Sequence, residues 1–137
     1  MNRKTVWMAV AGAAGLAMAF AVGVAVGENS APTESRGVQA SAPTQLDLAK
    51  ELDGIDGRQL RMRVVNIEPG GVVAIHSHNG RPAVAYMVQG ILTEYRNGAV
   101  HNRQPGEAWS EGKEVTHWAE NKGGENAVVV VVDVVKP

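Results

Sequence analysis

Three of the four histidines in this 137-residue chain are placed where they could bind one metal ion. His76 and His78 are one residue apart in a mostly apolar segment that follows a Pro-Gly-Gly turn. If this segment is a β-strand, both side chains point to the same side of the sheet. His117, later in the chain, is a candidate third ligand. Imidazole suits zinc, iron, copper, nickel and manganese, and three histidines leave coordination positions open for water or a substrate.

Other interpretations of these histidines remain open. A His-x-His pair also occurs on ordinary exposed strands, and histidines can simply fill the interior of a barrel. Among the remaining candidates, His101 follows a predicted hairpin turn and is expected to be a solvated surface residue. Ser77, between the paired histidines, should face away from them. The chain has no Cys and no phosphate-binding loop, so the histidines carry the chemistry that the sequence indicates.

The elements that would hold the histidines are short strands separated by turns rich in Gly, Pro and Asn. Asn97-Gly98 predicts a type I′ hairpin turn, because both residues accept the positive φ angles that this turn requires. Regular strand spacing of this kind predicts an all-β sandwich or small barrel. Strands are predicted over residues 59–67, 72–78, 83–89, 91–96, 99–104, 115–119 and 127–135.

The N-terminal region has a different composition. Arg3 and Lys4 precede an uncharged stretch over residues 5–27, and small residues stand before Glu28, as at a signal-peptide cleavage site. Residues 1–27 are therefore predicted to be a signal peptide, and an uncleaved segment 5–27 would instead be an N-terminal membrane anchor. Either way, the rest of the chain is expected to be periplasmic or secreted. Residues 28–45 are predicted to be a flexible linker, and residues 46–137 the folded domain.

Charge limits the classes of partner. The chain carries 13 basic and 14 acidic residues, for a net charge of −1. Such a balance is a poor basis for nucleic-acid binding, which requires a clustered basic surface, so we expect a small-molecule ligand and no nucleic acid. Membrane association is expected only if the N-terminal segment is not cleaved. The valine-rich run over 127–135 predicts a central strand and is compatible with a homodimer.

The spacing of several residues resembles the two motifs of small single-domain cupins. The first motif has a Gly, five intervening residues, His-x-His and then a second Gly. The second motif places Pro-Gly before a His that is followed by Asn. The matching residues are Gly70, His76, His78 and Gly90, then Pro105, Gly106, His117 and Asn121. The resemblance implies a cupin-type β-barrel, or jelly roll, of two antiparallel sheets with His76, His78 and His117 as ligands of a divalent metal inside.

One motif position departs from the family. Cupins usually add a Glu ligand to the three histidines, and the corresponding position here is Ala83. Nothing in the spacing directs Glu94 or Glu107 at the metal. Some cupin dioxygenases, which act on thiols, β-diketones and gentisate, hold iron with three histidines alone. The expected site is therefore a neutral three-histidine set with a further open coordination position.

Three functions are compatible with this resemblance. The first is an exported metal-dependent enzyme, such as an iron-dependent oxygenase of a small organic substrate. The second is a non-catalytic module that binds a metal or small ligand for sensing or sequestration, and the third is a purely structural barrel. Ala83 and Ala85 should leave room above the metal, and Arg81 could meet an anionic ligand at the barrel mouth. Trp109 and Trp118 are expected to pack, and Asn121 to support a turn.

Overall fold

The computed structural model describes residues 31–137, so the predicted signal segment 1–27 lies outside the described residues. The described chain is almost entirely β-strand, with one short 3₁₀-helix at Leu48–Lys50. No helix within residues 31–137 is long and apolar enough to cross a membrane. The strands are β1 (Arg36–Ala40), β2 (Thr44–Asp47), β3 (Gln59–Ser77), β4 (Ala83–Gln89), β5 (Leu92–Arg96), β6 (Ala99–Arg103), β7 (Ala108–Glu111), β8 (Thr116–Glu120) and β9 (Ala127–Val135).

Every strand pairing in this part of the chain is antiparallel, which confirms the predicted all-β class. The strands form one curled sheet in the order β6-β5-β8-β3-β9-β4-β7, and β1 and β2 also pair with β3. The core is built from apolar side chains of the strands that curl around it. Its buried members are Ile67, Ala85, Met87, Leu92, Ala119, Ala127 and Val129.

The central strand β3 corrects one prediction. Two strands over 59–67 and 72–78 were expected, with a turn between them, but the structure contains a single strand of 19 residues. Its first part pairs with β9 and its second part with β8. The backbone does not reverse at the Pro-Gly-Gly segment, because Gly70 N–H donates to Asn121 O and Gly71 O accepts from Asn121 N–H, at 2.8 and 2.9 Å. These bonds hold the glycines within the sheet as a bend.

The predicted flexible linker over 28–45 is also wrong for much of its length. β1 and the start of β2 lie within this segment, and both pair with β3. Further backbone bonds extend the contact, since Ile75 N–H donates to Pro32 O at 2.8 Å and Ala74 N–H donates to Ser35 Oγ at 2.9 Å. Strand addition of this kind uses backbone groups, which every residue has, so a polar composition does not prevent it.

The hairpin between β5 and β6 confirms the prediction made from Asn97-Gly98. Asn97 has φ of 49° and Gly98 has φ of 81°, the two positive values that a type I′ turn needs. The valine-rich strand β9 is central, as predicted, because it pairs with β3 on one side and β4 on the other. Both of its edges are therefore occupied within one chain. A homodimer stays a prediction and would have to use another surface.

Candidate metal centre

The structure brings together the three histidines that the sequence singles out. His76 lies in the second part of β3, and His78 directly follows Ser77, the last residue of that strand. His117 comes from β8, where it is the register partner of His76. The three Nε2 atoms lie 3.2 Å (His76 to His78), 3.0 Å (His78 to His117) and 3.0 Å (His76 to His117) apart. His78 and His117 are buried, and His76 is half-buried. Three side-chain nitrogens thus converge on one point.

The opposite ring nitrogen of each histidine is hydrogen-bonded to an oxygen. A carbonyl or carboxylate oxygen only accepts, so each Nδ1 must carry the proton, and a neutral ring then has its lone pair on Nε2. The three Nε2 atoms, which then act as acceptors, therefore face one another. The Nδ1 partners are Ala74 O at 2.8 Å for His76, Arg81 O at 3.0 Å for His78 and Glu94 Oε1 at 2.6 Å for His117.

Burial favours the neutral form of two of these rings. Loss of solvent lowers the pKa of His76 from 6.5 to about 4, against a smaller opposing effect of its hydrogen bond to Ala74. Burial also lowers the pKa of His78, although the nearby Glu111 carboxylate opposes this. Neutral Nε2 atoms that face one another present their lone pairs to a shared point, where a metal ion can be bound. Two nitrogens that bind one ion at about 2.1 Å and at right angles are about 3.0 Å apart, so the observed spacing fits the donor set of a metal ion.

Glu94 is a member of this site that the sequence did not reveal. Its side chain is 1% exposed on β5, and its carboxylate contacts the outer nitrogen of His117. Burial raises the pKa of Glu94, but hydrogen bonds from His117 and Arg103 outweigh this effect and lower the pKa to about 2. The spacing gave no sign of this contact, which is to the outer nitrogen of His117 and not to the Nε2 cluster. Glu107 does lie apart, at a turn, where its carboxylate accepts from Gln104 N–H.

Glu111 is the second carboxylate that sequence reasoning missed. It is buried at the end of β7, and its Oε2 lies 3.2 Å from His78 Nε2. The indole Nε1–H of Trp109 donates to Oε1 at 2.9 Å. Glu94 and Glu111 both reach the histidines through strand pairings between distant segments. No local pattern in the sequence reports such pairings.

A model of the cupin domain matches residues 63–133, which is more than half of the chain. This chain belongs to the cupin family. The match runs from Arg63 in β3 to Asp133 in β9, and it includes all three histidines of the cluster. A search of curated proteins finds no match.

Solved structures share the fold of this cupin at low sequence identity. A predicted oxalate decarboxylase from Thermotoga maritima has a TM-score of 0.55 at 18% identity, over 78% of this chain and 95% of that one. The polyketide cyclase RemF from Streptomyces resistomycificus has a TM-score of 0.55 at 20% identity, over 77% and 69%. A cupin domain of an XRE-family transcriptional regulator from Enterobacter cloacae has a TM-score of 0.55 at 11% identity, over 72% and 96%. These likenesses establish the fold.

A cavity of about 360 Å³ opens beside the histidine cluster of this cupin. Ala85, one of the two alanines expected to leave room there, lines it, and so do Arg63, Arg81 and Trp109. Part of the wall comes from β1, the strand within the predicted linker. The apolar lining residues include Val38, Val65, Val73, Leu92, Val129 and Val131. The interior therefore combines an apolar wall, a cluster of nitrogen donors and two guanidinium groups.

The remaining sequence candidates lie where they were expected or close to it. His101 is opposite Glu94 in the β5–β6 register and is half-buried, outside the metal-ligand clusters found in residues 31–137. Ser77 is exposed. Trp118 stacks on Tyr95 with ring centroids 3.9 Å apart, as a packing residue would. Asn121 supports its turn, donating to the carbonyls of Ile67 and Glu125 and accepting from Gly123 N–H.

Proposed function

We propose that this cupin binds one divalent metal ion through Nε2 of His76, His78 and His117. The observation that carries the proposal is the convergence of three Nε2 atoms within 3.0–3.2 Å, with each Nδ1 engaged by an oxygen. Such second contacts fix the tautomer that a metal ligand requires. Iron, zinc, manganese, nickel and copper all accept imidazole.

We further propose an enzyme that acts on a small organic molecule, with an iron-dependent oxygenase as the first candidate. The bound metal would supply Lewis-acid or redox chemistry at its open positions. The chain itself contributes a cavity of about 360 Å³ that can hold such a substrate beside the histidines. Its apolar walls would exclude water from the substrate. The guanidinium groups of Arg63 and Arg81 would orient the polar end of the substrate.

The second candidate is a non-catalytic module that binds a metal or a small ligand. The two buried carboxylates, Glu94 and Glu111, favour this non-catalytic function, because both already have partners within the protein. Glu94 accepts from Arg103 and contacts His117, while Glu111 accepts from Trp109. Because both carboxylates are already hydrogen-bonded within the protein, neither is free to transfer a proton to or from a substrate. The cupin fold serves enzymes and non-catalytic proteins alike, so the fold cannot choose between the two candidates.

Export of the protein is also part of the proposal. It is supported by the two basic residues Arg3 and Lys4 before the uncharged stretch 5–27. Fractionation of cells that express the full chain tests it. Recovery outside the cytoplasm is expected, either with a shortened N-terminus or with the membrane, and recovery in the cytoplasm would contradict the proposal.

Metal analysis of the full chain, purified without chelators, tests the binding site. One equivalent of metal is expected in the wild-type protein, with a large loss in His76→Ala and His117→Ala. His101→Ala is the matched control, since it removes the histidine that lies outside the cluster, and it should keep the metal. A wild-type protein without stoichiometric metal would overturn the proposal. If iron is found, oxygen uptake with thiols, diketones and dihydroxybenzoates separates the enzyme from the binding module.

A further inference from the structure

Positions 83 and 111 are direct neighbours across the pairing of β4 with β7. Ala83 is the register partner of Glu111, and both side chains are buried, at 7% and 5% exposure. The resemblance to cupins places the usual carboxylate ligand at position 83. The chain lacks a carboxylate there but has one on the adjacent residue of the neighbouring strand.

The Glu111 carboxylate is held in one orientation. Trp109 Nε1–H donates to Oε1 at 2.9 Å, and this bond leaves Oε2 facing the histidines. Oε2 lies 3.2 Å from His78 Nε2, while Oε1 lies 3.8 Å from His117 Nε2. The carboxylate is thus at the edge of the three-nitrogen cluster.

No proton of His78 is available to bridge this contact in the neutral ring. Its Nδ1–H donates to Arg81 O, so Nε2 has a lone pair and not a hydrogen. A metal ion placed beside both atoms would bind the Nε2 lone pair and the carboxylate oxygen, which are 3.2 Å apart. The same cation would satisfy His76 and His117, whose Nε2 atoms face the same point.

We propose that Glu111 is the fourth protein ligand of the metal, supplied from β7 in place of the position that Ala83 occupies on β4. The inference rests on the proposed metal site. It changes the charge of that site, because three neutral imidazoles and one carboxylate neutralise half of a divalent ion. It also removes one of the open positions that a three-histidine set would leave.

Metal titration of the full chain with Mn²⁺ and Zn²⁺, in competition with a chromophoric chelator, tests the assignment. Glu111→Gln keeps the shape of the side chain and removes its charge, and we expect an affinity at least about tenfold weaker. Glu114→Gln, an exposed carboxylate three residues further on, is the matched control and should bind like the wild type. The double variant Ala83→Glu/Glu111→Gln should recover affinity. The electron paramagnetic resonance spectrum of bound Mn²⁺ should differ from that of the wild type in Glu111→Gln, and it should not differ in Glu114→Gln.

The outcomes separate this inference from the metal site itself. If His76→Ala loses the metal while Glu111→Gln binds like the wild type, the site stands and the fourth ligand is overturned. If the wild-type protein does not bind metal, the proposed function fails as well. Thermal unfolding of the metal-free variants shows whether each one folds. If Glu111→Gln does not fold, the double variant decides, and wild-type affinity there supports the assignment whereas weak binding contradicts it.

A second inference comes from the cationic groups of the same cavity and does not depend on a metal. Arg61, Arg63 and Arg81 all approach one buried carboxylate, that of Asp133. Arg61 takes both carboxylate oxygens, at 2.9 and 2.7 Å, while Arg63 Nη2 is 3.4 Å away and Arg81 Nη1 is 3.8 Å away. Arg63 and Arg81, the two weakly paired groups, are also the ones that line the cavity.

Three guanidinium groups share the one negative charge of Asp133, so this edge of the cavity carries an excess of positive charge. A charged donor forms its strongest hydrogen bonds with a charged acceptor, so the cavity should favour a ligand with negative charge there. We infer that the cavity takes a small organic carboxylate whose anionic group contacts Arg63 and Arg81 and whose apolar part contacts the valine-rich wall.

Binding of benzoate and of its neutral analogue benzamide, measured by calorimetry and by fluorescence of the cavity-lining Trp109, tests this ligand class. Wild-type protein should bind benzoate at least about tenfold more tightly than benzamide, since a hydrogen bond to a charged group is worth that factor or more. Arg63→Gln and Arg81→Gln should each reduce this preference, and the exposed Arg36→Gln should not. Equal binding of the two probes, binding of neither, or an unchanged preference in both cavity variants would overturn the inference.

Discussion

Glu94 Oε1 lies 2.6 Å from Nδ1 of His117, on the side of the imidazole opposite to the cluster of Nε2 atoms. Arg103 donates from Nε and Nη2 to the other carboxylate oxygen, at 2.8 and 2.7 Å. A chain of contacts therefore runs from the half-buried Arg103 through Glu94 to His117. It fixes the tautomer and the orientation of the histidine, and it increases the electron density at Nε2.

Replacement of Glu94 by Gln should therefore weaken metal binding without removing a ligand. The amide keeps the shape of the side chain but loses the charge that pairs with Arg103 and orients His117. We expect an affinity about 10–100-fold lower, measured by competition with a chelator. Glu107→Gln, at an exposed turn, is the control and should leave the affinity unchanged. Equal affinity in the two variants would show that the outer carboxylate does not tune the site.

Asp133 should be a major determinant of stability. Its side chain is 1% exposed and lies beside the guanidinium groups of Arg61, Arg63 and Arg81. Asp133→Asn leaves these charges uncompensated in the interior, and removal of one partner from a buried pair costs about 3–5 kcal/mol. Urea unfolding measures the loss.

The exposed pair of Asp47 and Lys50 provides the comparison. These side chains are 42% and 78% exposed, and their charged atoms are 3.7 Å apart. Asp47→Asn should cost about 1 kcal/mol or less, because solvent screens the pair. Similar losses in Asp133→Asn and Asp47→Asn would contradict the assignment of a buried charge cluster.

The same cluster predicts a pH dependence. Burial raises the pKa of Asp133, but the hydrogen bond from Arg61 and the positive charges of Arg61, Arg63 and Arg81 outweigh it, so the pKa lies below its ordinary value of 3.8. A carboxyl with a lowered pKa in the folded state stabilises the protein fully above the unfolded value and loses this contribution as pH falls through the folded value.

Urea unfolding of the wild type and Asp133→Asn across about pH 2–7 measures this effect. The stability difference between the two proteins should be constant above about pH 4 and should shrink below it. A difference that is constant at all pH values would contradict the ionised state of Asp133, and one that grows in acid would reverse the predicted sign.

Local patterns in the sequence predict much of this fold. Alternation of apolar residues identifies the strands from β3 onward except β7, and Asn97-Gly98 identifies the turn between β5 and β6. The cluster of His76, His78 and His117 could also be predicted, because two members are one residue apart at the end of β3 and the family motif supplies the third.

What the sequence does not reveal depends on pairing between distant segments. Glu111 reaches His78 because β7 pairs with β4, and Glu94 reaches His117 because β5 pairs with β8. Neither pairing has a local signature. β1 has no clear apolar pattern, because its backbone makes the hydrogen bonds to β3 and Val38 provides most of its apolar contact with the core.

Gly71 should control the attachment of β1, which contributes part of the cavity wall. A Cβ at this position would lie 2.8 Å from the carbonyl oxygens of both Glu68 and Gly37, closer than real Cβ atoms approach. Gly37 belongs to β1, so Gly71→Ala would push this strand away from β3. We expect a loss of about 1–3 kcal/mol, as for other overpacked positions.

Amide hydrogen exchange provides the specific measurement for Gly71→Ala. The amides of residues 36–40 should exchange faster in the variant, while those of β9 should change little. Gly124→Ala is the matched control, because nothing lies within 4 Å of a Cβ at that exposed glycine. If both variants leave the exchange of residues 36–40 at the wild-type rate, β1 is not held against β3 by the close approach of Gly37 and Gly71.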